Sequence, residues 1–126
     1  MADVSPSIAV VDDDPAVLKA LSRLLRSRTF DVHTFGSGQE FLASLPDGLP
    51  KCLIVDLQMP FMTGQELQQH LVRDGFDIPT IMITAQSDAR LLRESPDFVA
   101  ILLKPLQESI LFAAIERATN FPRRGC

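Results

Sequence analysis

Four places in the chain carry side chains that could do chemistry together. Asp12-Asp13-Asp14 follows the apolar run Ile8-Ala9-Val10-Val11, Asp56 closes Cys52-Leu53-Ile54-Val55, Thr84 closes Ile81-Met82-Ile83, and Lys104 follows Val99-Ala100-Ile101-Leu102-Leu103. Carboxylates gathered in one place repel one another and raise each other's pKa unless a cation neutralises them. All-oxygen ligation, with no Cys or His at ligand spacing, favours a hard divalent ion. Few protein ligands plus water suit Mg2+, which keeps open positions for phosphate oxygens. Lys104 supplies a point positive charge and Thr84 a hydroxyl, both suited to hold a phosphoryl group. A carboxylate nucleophile, a metal ion and a lysine are the parts for phosphoryl transfer onto Asp56, which gives an acyl phosphate. Each residue alone has a plainer reading: a strand-end Asp caps a helix or forms a turn, as Asp14 is placed to do, and a lone Lys is a solvated charge. Such residues at four separate strand ends argue for a site.

The elements must bring these residues together. Short apolar runs rich in β-branched residues read as strands covered on both faces, and Met59-Pro60 stops the one that ends on Asp56. The first strand is Ser7 to Val11. Pro15, with an Asp before it as N-cap, opens a helix in which Val17, Leu18, Leu21, Leu24 and Leu25 recur at helical spacing through Arg28. Asp31 to Phe35 is a second strand, and Ser37-Gly38-Gln39-Glu40 is a capping-box pattern opening a short helix to about Leu45. After the third strand, Gly64 to Asp74 makes a helix with Leu67 and Leu71 inward, ended by Gly75.

Ile78 to Thr84 is the fourth strand and Val99 to Leu103 the fifth. The stretch between them is about the least a parallel crossover can use, so a fourth helix, Asp88 to Glu94, is short and stops at Pro96. Gln107 to Thr119 is the fifth helix, with Ile110, Leu111, Ala114, Ile115 and Ala118 inward, and Asn120 to Cys126 is a polar tail. Strand and helix alternate five times, the pattern of a doubly wound, mostly parallel α/β sheet with helices on both faces. Asp12, Asp13, Asp56, Thr84 and Lys104 then share one rim, in the crevice beyond the strand ends where open α/β sheets bind ligands.

A chain of 126 residues fits a single domain, 1–126, with its core over about 7–119. The net charge of -4 leaves no basic footprint, apart from Arg123 and Arg124 in the tail, so no direct binding of nucleic acid is expected. Residues Met1 to Pro6 have neither a charged nor an apolar leader pattern, and no apolar run reaches membrane-spanning length. The expected location is the cytoplasm. Cys52, inside a core strand, and Cys126, at the last position, are poorly placed to pair. His33 and His70 stand alone on the surface and make no zinc site.

Asp12-Asp13 after an apolar strand, Asp56-Leu57-Gln58-Met59-Pro60 with Gly64, then Thr84-Ala85 and Lys104-Pro105, closely resemble the receiver domain of two-component response regulators over nearly the whole chain. Asp56 to Ile83 looks most like receivers of FixJ-type transcriptional regulators. The resemblance implies a flavodoxin-like five-stranded sheet in the order 2-1-3-4-5, with Asp12 and Asp56 on neighbouring strands at the switch point. It implies that Asp56 takes a phosphoryl group from a sensor histidine kinase or phosphotransfer protein, and that the result is passed to a downstream protein or output domain. Asp13 would ligate Mg2+ directly and Asp12 through water, with Asp56 and the backbone carbonyl of Gln58 completing the protein ligands. Lys104 would pair with the acceptor carboxylate or its phosphoryl group, its bond to Pro105 would be cis, and Thr84 would turn toward the phosphate.

The chain departs from the family at the readout. Receivers commonly carry Phe or Tyr three residues before the lysine, where this chain has Ile101, and the usual Gly-Ala before strand five is replaced by Ser95-Pro96-Asp97-Phe98. Output is expected through a reshaped fourth helix or the surface of the first. Two other readings stay open: a receiver-like binding module that does not cycle phosphate, and a small Mg-dependent aspartyl phosphatase built on Asp12-x-Asp14. Otherwise the chain is a signalling domain, not an enzyme, catalysing at most its own phosphorylation and dephosphorylation.

Overall fold

A computed structural model describes residues 7–85 and 99–120. The strands are β1 (Ser7–Val11), β2 (Asp31–Phe35), β3 (Cys52–Asp56), β4 (Thr80–Thr84) and β5 (Ala100–Leu103). The helices are α1 (Pro15–Arg26), α2 (Gly38–Ser44), α3 (Gly64–Arg73) and α4 (Glu108–Thr119), with a single 3-10 turn at Leu45–Asp47. All strand pairings are parallel and the order is β2-β1-β3-β4-β5, the topology expected from the sequence.

Alternation along each strand sorts the core onto two faces. Ile8, Val10, Cys52, Ile54, Ile81, Ile83 and Leu102 pack with Leu21 and Leu25 of α1 and with Leu111, Ala114, Ile115 and Ala118 of α4. Ala9, Val11, Leu53, Val55 and Met82 pack on the other face with Phe41 of α2 and Leu67 and Leu71 of α3. β3 and β4 are buried along their whole length, which is why they read as continuous apolar runs. Among the described residues no helix is long and apolar enough to cross a membrane.

Several boundaries differ from the sequence reading. The first helix stops at Arg26 rather than Arg28, because Phe30 N–H turns back to the Leu25 carbonyl and Thr29 N–H to that of Arg26. The fourth strand opens at Thr80, after Pro79, which has no N–H to give to a ladder, and the fifth at Ala100. Gln107 is the N-cap of the last helix rather than its first residue. Ile110 is 50% exposed instead of inward, since Leu111, Ala114, Ile115 and Ala118 already form the buried stripe and Ile110 lies at its edge. The capping box at Ser37 is half formed: its hydroxyl accepts from Glu40 N–H, but the Glu40 carboxylate accepts from Gly36 N–H. The fourth helix, Asp88 to Glu94, and Cys126 lie outside the described residues.

Candidate functional site

The strand registers set the rim. Val11 pairs with Val55, Asp56 with Ile83 and Thr84 with Leu103, so β1, β3, β4 and β5 finish nearly level. At three of these ends the backbone ladder runs one residue further. Asp12 N–H donates to the Phe35 carbonyl at 3.1 Å, Leu57 N–H to that of Ile83 at 2.9 Å, and Lys104 N–H to that of Thr84 at 3.0 Å. The rim residues are thus held by main chain before any side-chain contact forms.

Asp12, Asp13 and Asp56 come together, with one carboxylate oxygen from each lying within 4.8 Å of the others. Asp12 and Asp56 are 4% and 5% exposed, whereas Asp13 faces solvent. Burial pushes the Asp12 carboxyl above the usual carboxylate range, helped by the charge of Asp56 and opposed by Asp14 N–H, which donates to Asp12 Oδ1 at 2.9 Å. Burial also raises Asp56, with Asp13 adding to it, against the pull of Lys104, whose Nζ lies 3.1 Å from Asp56 Oδ1. The Lys104–Pro105 bond is cis, as the resemblance implied.

Thr84 is 1% exposed, and its hydroxyl donates to the Ala85 carbonyl at 3.3 Å, long for an O–H donor. The structure brings Thr84 to the rim and engages its hydroxyl on its own backbone. Gln58 lies on the exposed start of the loop two residues beyond Asp56. Asp14 is exposed and serves as N-cap of α1, accepting from Ala16 N–H at 2.9 Å, so it belongs to the helix and not to the acidic cluster. Ile101 stands exposed on β5, opposite Met82.

Gly64 has a structural role that the motif alone did not reveal. An added Cβ would lie 2.5 Å from the Asp56 carbonyl oxygen and 2.8 Å from Met82 Sδ, so α3 can start against the end of β3 only with glycine there. The signal in the sequence was a poor helix former at the first helical position. Thr63 and Glu66 close a full capping box over that helix start.

The donor set suits a divalent ion. The cluster offers hard carboxylate oxygens, and two of its acids are buried with their charged forms disfavoured, which leaves negative charge that Lys104 alone does not balance.

Comparison with known proteins agrees with this geometry. The family model of the response regulator receiver domain matches residues 8–116. The response regulator protein TodT of Pseudomonas putida is 37% identical over 120 residues, which cover 94% of this chain and 53% of TodT. The chain thus spans about half the length of the curated relatives it matches. The crystal structure of FixJ-N superposes with a TM-score of 0.86 at 34% identity, covering 97% of this chain and 98% of that one, in keeping with the FixJ-type resemblance. The response regulator protein TrrA of Thermotoga maritima, solved in complex with Mg(2+)-BeF, gives a TM-score of 0.81 at 25% identity over 90% of this chain and 98% of its own. With the family model matched over most of its length and the sheet superposing on a solved receiver, the chain belongs to the receiver domains of two-component response regulators.

Proposed function

We propose that Asp56 is the phosphoacceptor and that the chain is a single receiver domain, 1–126, whose protein contacts change when Asp56 is phosphorylated. The observation that carries this is the placing of Asp56: a buried carboxylate at a strand end, 3.1 Å from Lys104 and beside two further acids. An oxygen of Asp56 attacks the phosphorus of a phosphohistidine on a sensor kinase or phosphotransfer protein. The P–N bond breaks, its electron pair stays on the imidazole, which takes up a proton, and an acyl phosphate forms on Asp56. Lys104 is exposed enough to follow the negative charge from the carboxylate to the phosphoryl oxygens. Thr84 would leave the Ala85 carbonyl, to which its hydroxyl makes a long hydrogen bond, and turn toward the phosphoryl group.

Asp12, Asp13 and Asp56, with the backbone carbonyl of Gln58, would hold Mg2+. When bound there the ion supplies charge neutralisation for the acids and the incoming phosphoryl group. TrrA, captured with Mg(2+)-BeF, supports that assignment. The donor is a sensor histidine kinase or phosphotransfer protein and the recipient a downstream protein or output domain. Cytoplasmic location and the lack of direct nucleic-acid contact follow from the same reading and from the net charge of -4. The engagement of Asp14 in helix capping speaks against a phosphatase acting on other substrates.

The test is intact mass after incubation with acetyl phosphate and Mg2+, alongside Asp56→Asn and a metal-free control. A single phosphoryl adduct that needs both Asp56 and the metal is expected. No adduct, under conditions that label another receiver, would leave a binding module without phosphate cycling.

A further inference from the structure

Phe61 combines two unfavourable features that have no common cause in the fold. Its ring is 93% exposed, although Leu57 and Met59 of the same loop are buried and Met62 is half-buried against the core. Its φ is +69°, in the left-handed region that bulky residues avoid. The local structure is a γ-turn, with Met62 N–H donating to the Pro60 carbonyl at 2.7 Å around Phe61. The other non-glycine residue of positive φ among the described residues, Thr29, has an architectural reason, since it ends α1. No helix ends at Phe61. Glycine or asparagine would take the same backbone without either penalty.

The loop that carries Phe61 begins and ends at Asp56. Leu57 leaves β3, and Gly64 returns against the Asp56 carbonyl with its N–H donating to the Leu57 carbonyl at 3.0 Å. Phe61 is three residues from Gly64, so their Cα atoms are within about 11 Å. A protein that delivers a phosphoryl group to Asp56 must lay its surface over this rim, within reach of the loop tip. A small donor need not touch it.

On the phosphoacceptor reading above, we propose that Phe61 is an apolar anchor, held out by the γ-turn, that seats in an apolar pocket beside the phosphohistidine of the donor protein. Exposed aromatic residues that become buried on association contribute disproportionately to binding, and a ring presented by a fixed turn loses little freedom when it docks. Strain kept at such a position is explained by that contact.

The test compares labelling by acetyl phosphate with phosphotransfer from a panel of autophosphorylated histidine kinases, for the wild type, Phe61→Gly, Phe61→Asn and Phe61→Leu. Labelling by acetyl phosphate should stay within twofold for all four, since Gly and Asn relieve the turn. Transfer from the fastest kinase of the panel should fall at least tenfold for Gly and Asn and recover in part for Leu. Equal transfer to all four, an equal fall with both donors, or no kinase labelling a chain that acetyl phosphate labels would each overturn the anchor. A wild type that acetyl phosphate fails to label would remove the phosphoacceptor reading itself.

Discussion

Lys104 Nζ and Asp56 Oδ1, 3.1 Å apart, belong to strand ends that are not neighbours. β4 lies between β3 and β5, so the pair bridges the end of β4, where Thr84 stands. The ammonium is solvent-exposed and the carboxylate buried, an asymmetry that lets the cation move while the carboxylate stays fixed. A charge that can shift from ground state to product without reordering the backbone is suited to stabilising phosphoryl transfer.

Lys104→Ala should therefore slow labelling by acetyl phosphate by about 100-fold, the usual loss when one charge-stabilising donor is removed. Intact mass against time, at saturating Mg2+, measures it. The variant should also lose about 1–3 kcal/mol of stability at neutral pH, because Asp56 stays buried without its partner. A labelling rate within twofold of the wild type would show that Lys104 serves the fold alone.

The acids set a pH dependence of definite sign. Asp12 and Asp56 have folded-state pKa values raised by burial, so between about pH 4 and those values the folded chain binds more protons than the unfolded one. Their contribution to stability is full below about pH 4 and is lost as pH rises through the folded values. Asp12→Asn should then be more stable than the metal-free wild type at pH 7 and equal to it near pH 4. Mg2+ should raise the melting temperature of the wild type at pH 7, have no effect near pH 4, and act weakly on Asp12→Asn. Thermal unfolding with Mg2+ or with a chelator gives all five comparisons, and a Mg2+ shift that is unchanged in Asp12→Asn would remove that residue from the proposed metal site.

Most of the frame was legible because it rests on period and punctuation. Four apolar runs, each closed by a polar residue, and a short fifth strand pattern at Asp31 to Phe35, all separated by helical patterns, left little choice but a parallel sheet with one chemical rim, and β3 and β4 are buried as their composition demands. What could not be read depends on three-dimensional approach. Asp12 and Asp13 are adjacent and identical in type, yet one is buried and the other exposed, a difference set by the pairing of Asp12 N–H with Phe35 beyond the end of β1. Ile110 and Leu111 are both apolar, and only packing decides which of them is covered. The left-handed turn at Phe61 has no signal, because the usual residues for such a position are absent there.

Gly64→Ala tests how closely helix and site are coupled. The new methyl would meet the Asp56 carbonyl at 2.5 Å, and a backbone atom at a strand end has little room to yield. Either α3 moves away from β3 or Asp56 shifts. The expected result is a loss of about 2–3 kcal/mol in denaturant unfolding, at the upper end for an overpacked site, together with slower labelling by acetyl phosphate. Unchanged stability would mean that α3 slides along the sheet without affecting the rim.

Thr29→Gly should do the opposite, and at the far end of the sheet. Thr29 and Gly75 occupy equivalent places: each has positive φ, 68° and 84°, just beyond a helix, with the next residue's N–H returning to a carbonyl of the last turn, Phe30 to Leu25 and Phe76 to Leu71. At Gly75 this backbone carries no steric penalty, whereas threonine in the left-handed region costs about 1–2 kcal/mol, part of which glycine returns through its freer unfolded chain. A net gain of about 0.5–1 kcal/mol follows, or about 3 °C in melting temperature for a domain of this size. The neighbouring contacts involve other side chains, with Phe30 stacked on Phe112 at 6.4 Å and the Arg28 guanidinium 4.0 Å from the Phe112 ring centre. They should persist, and because β2 begins at Asp31, on the rim opposite the acids, the labelling rate should not change. A stabilised variant that labelled more slowly would mean that the two ends of the sheet are coupled.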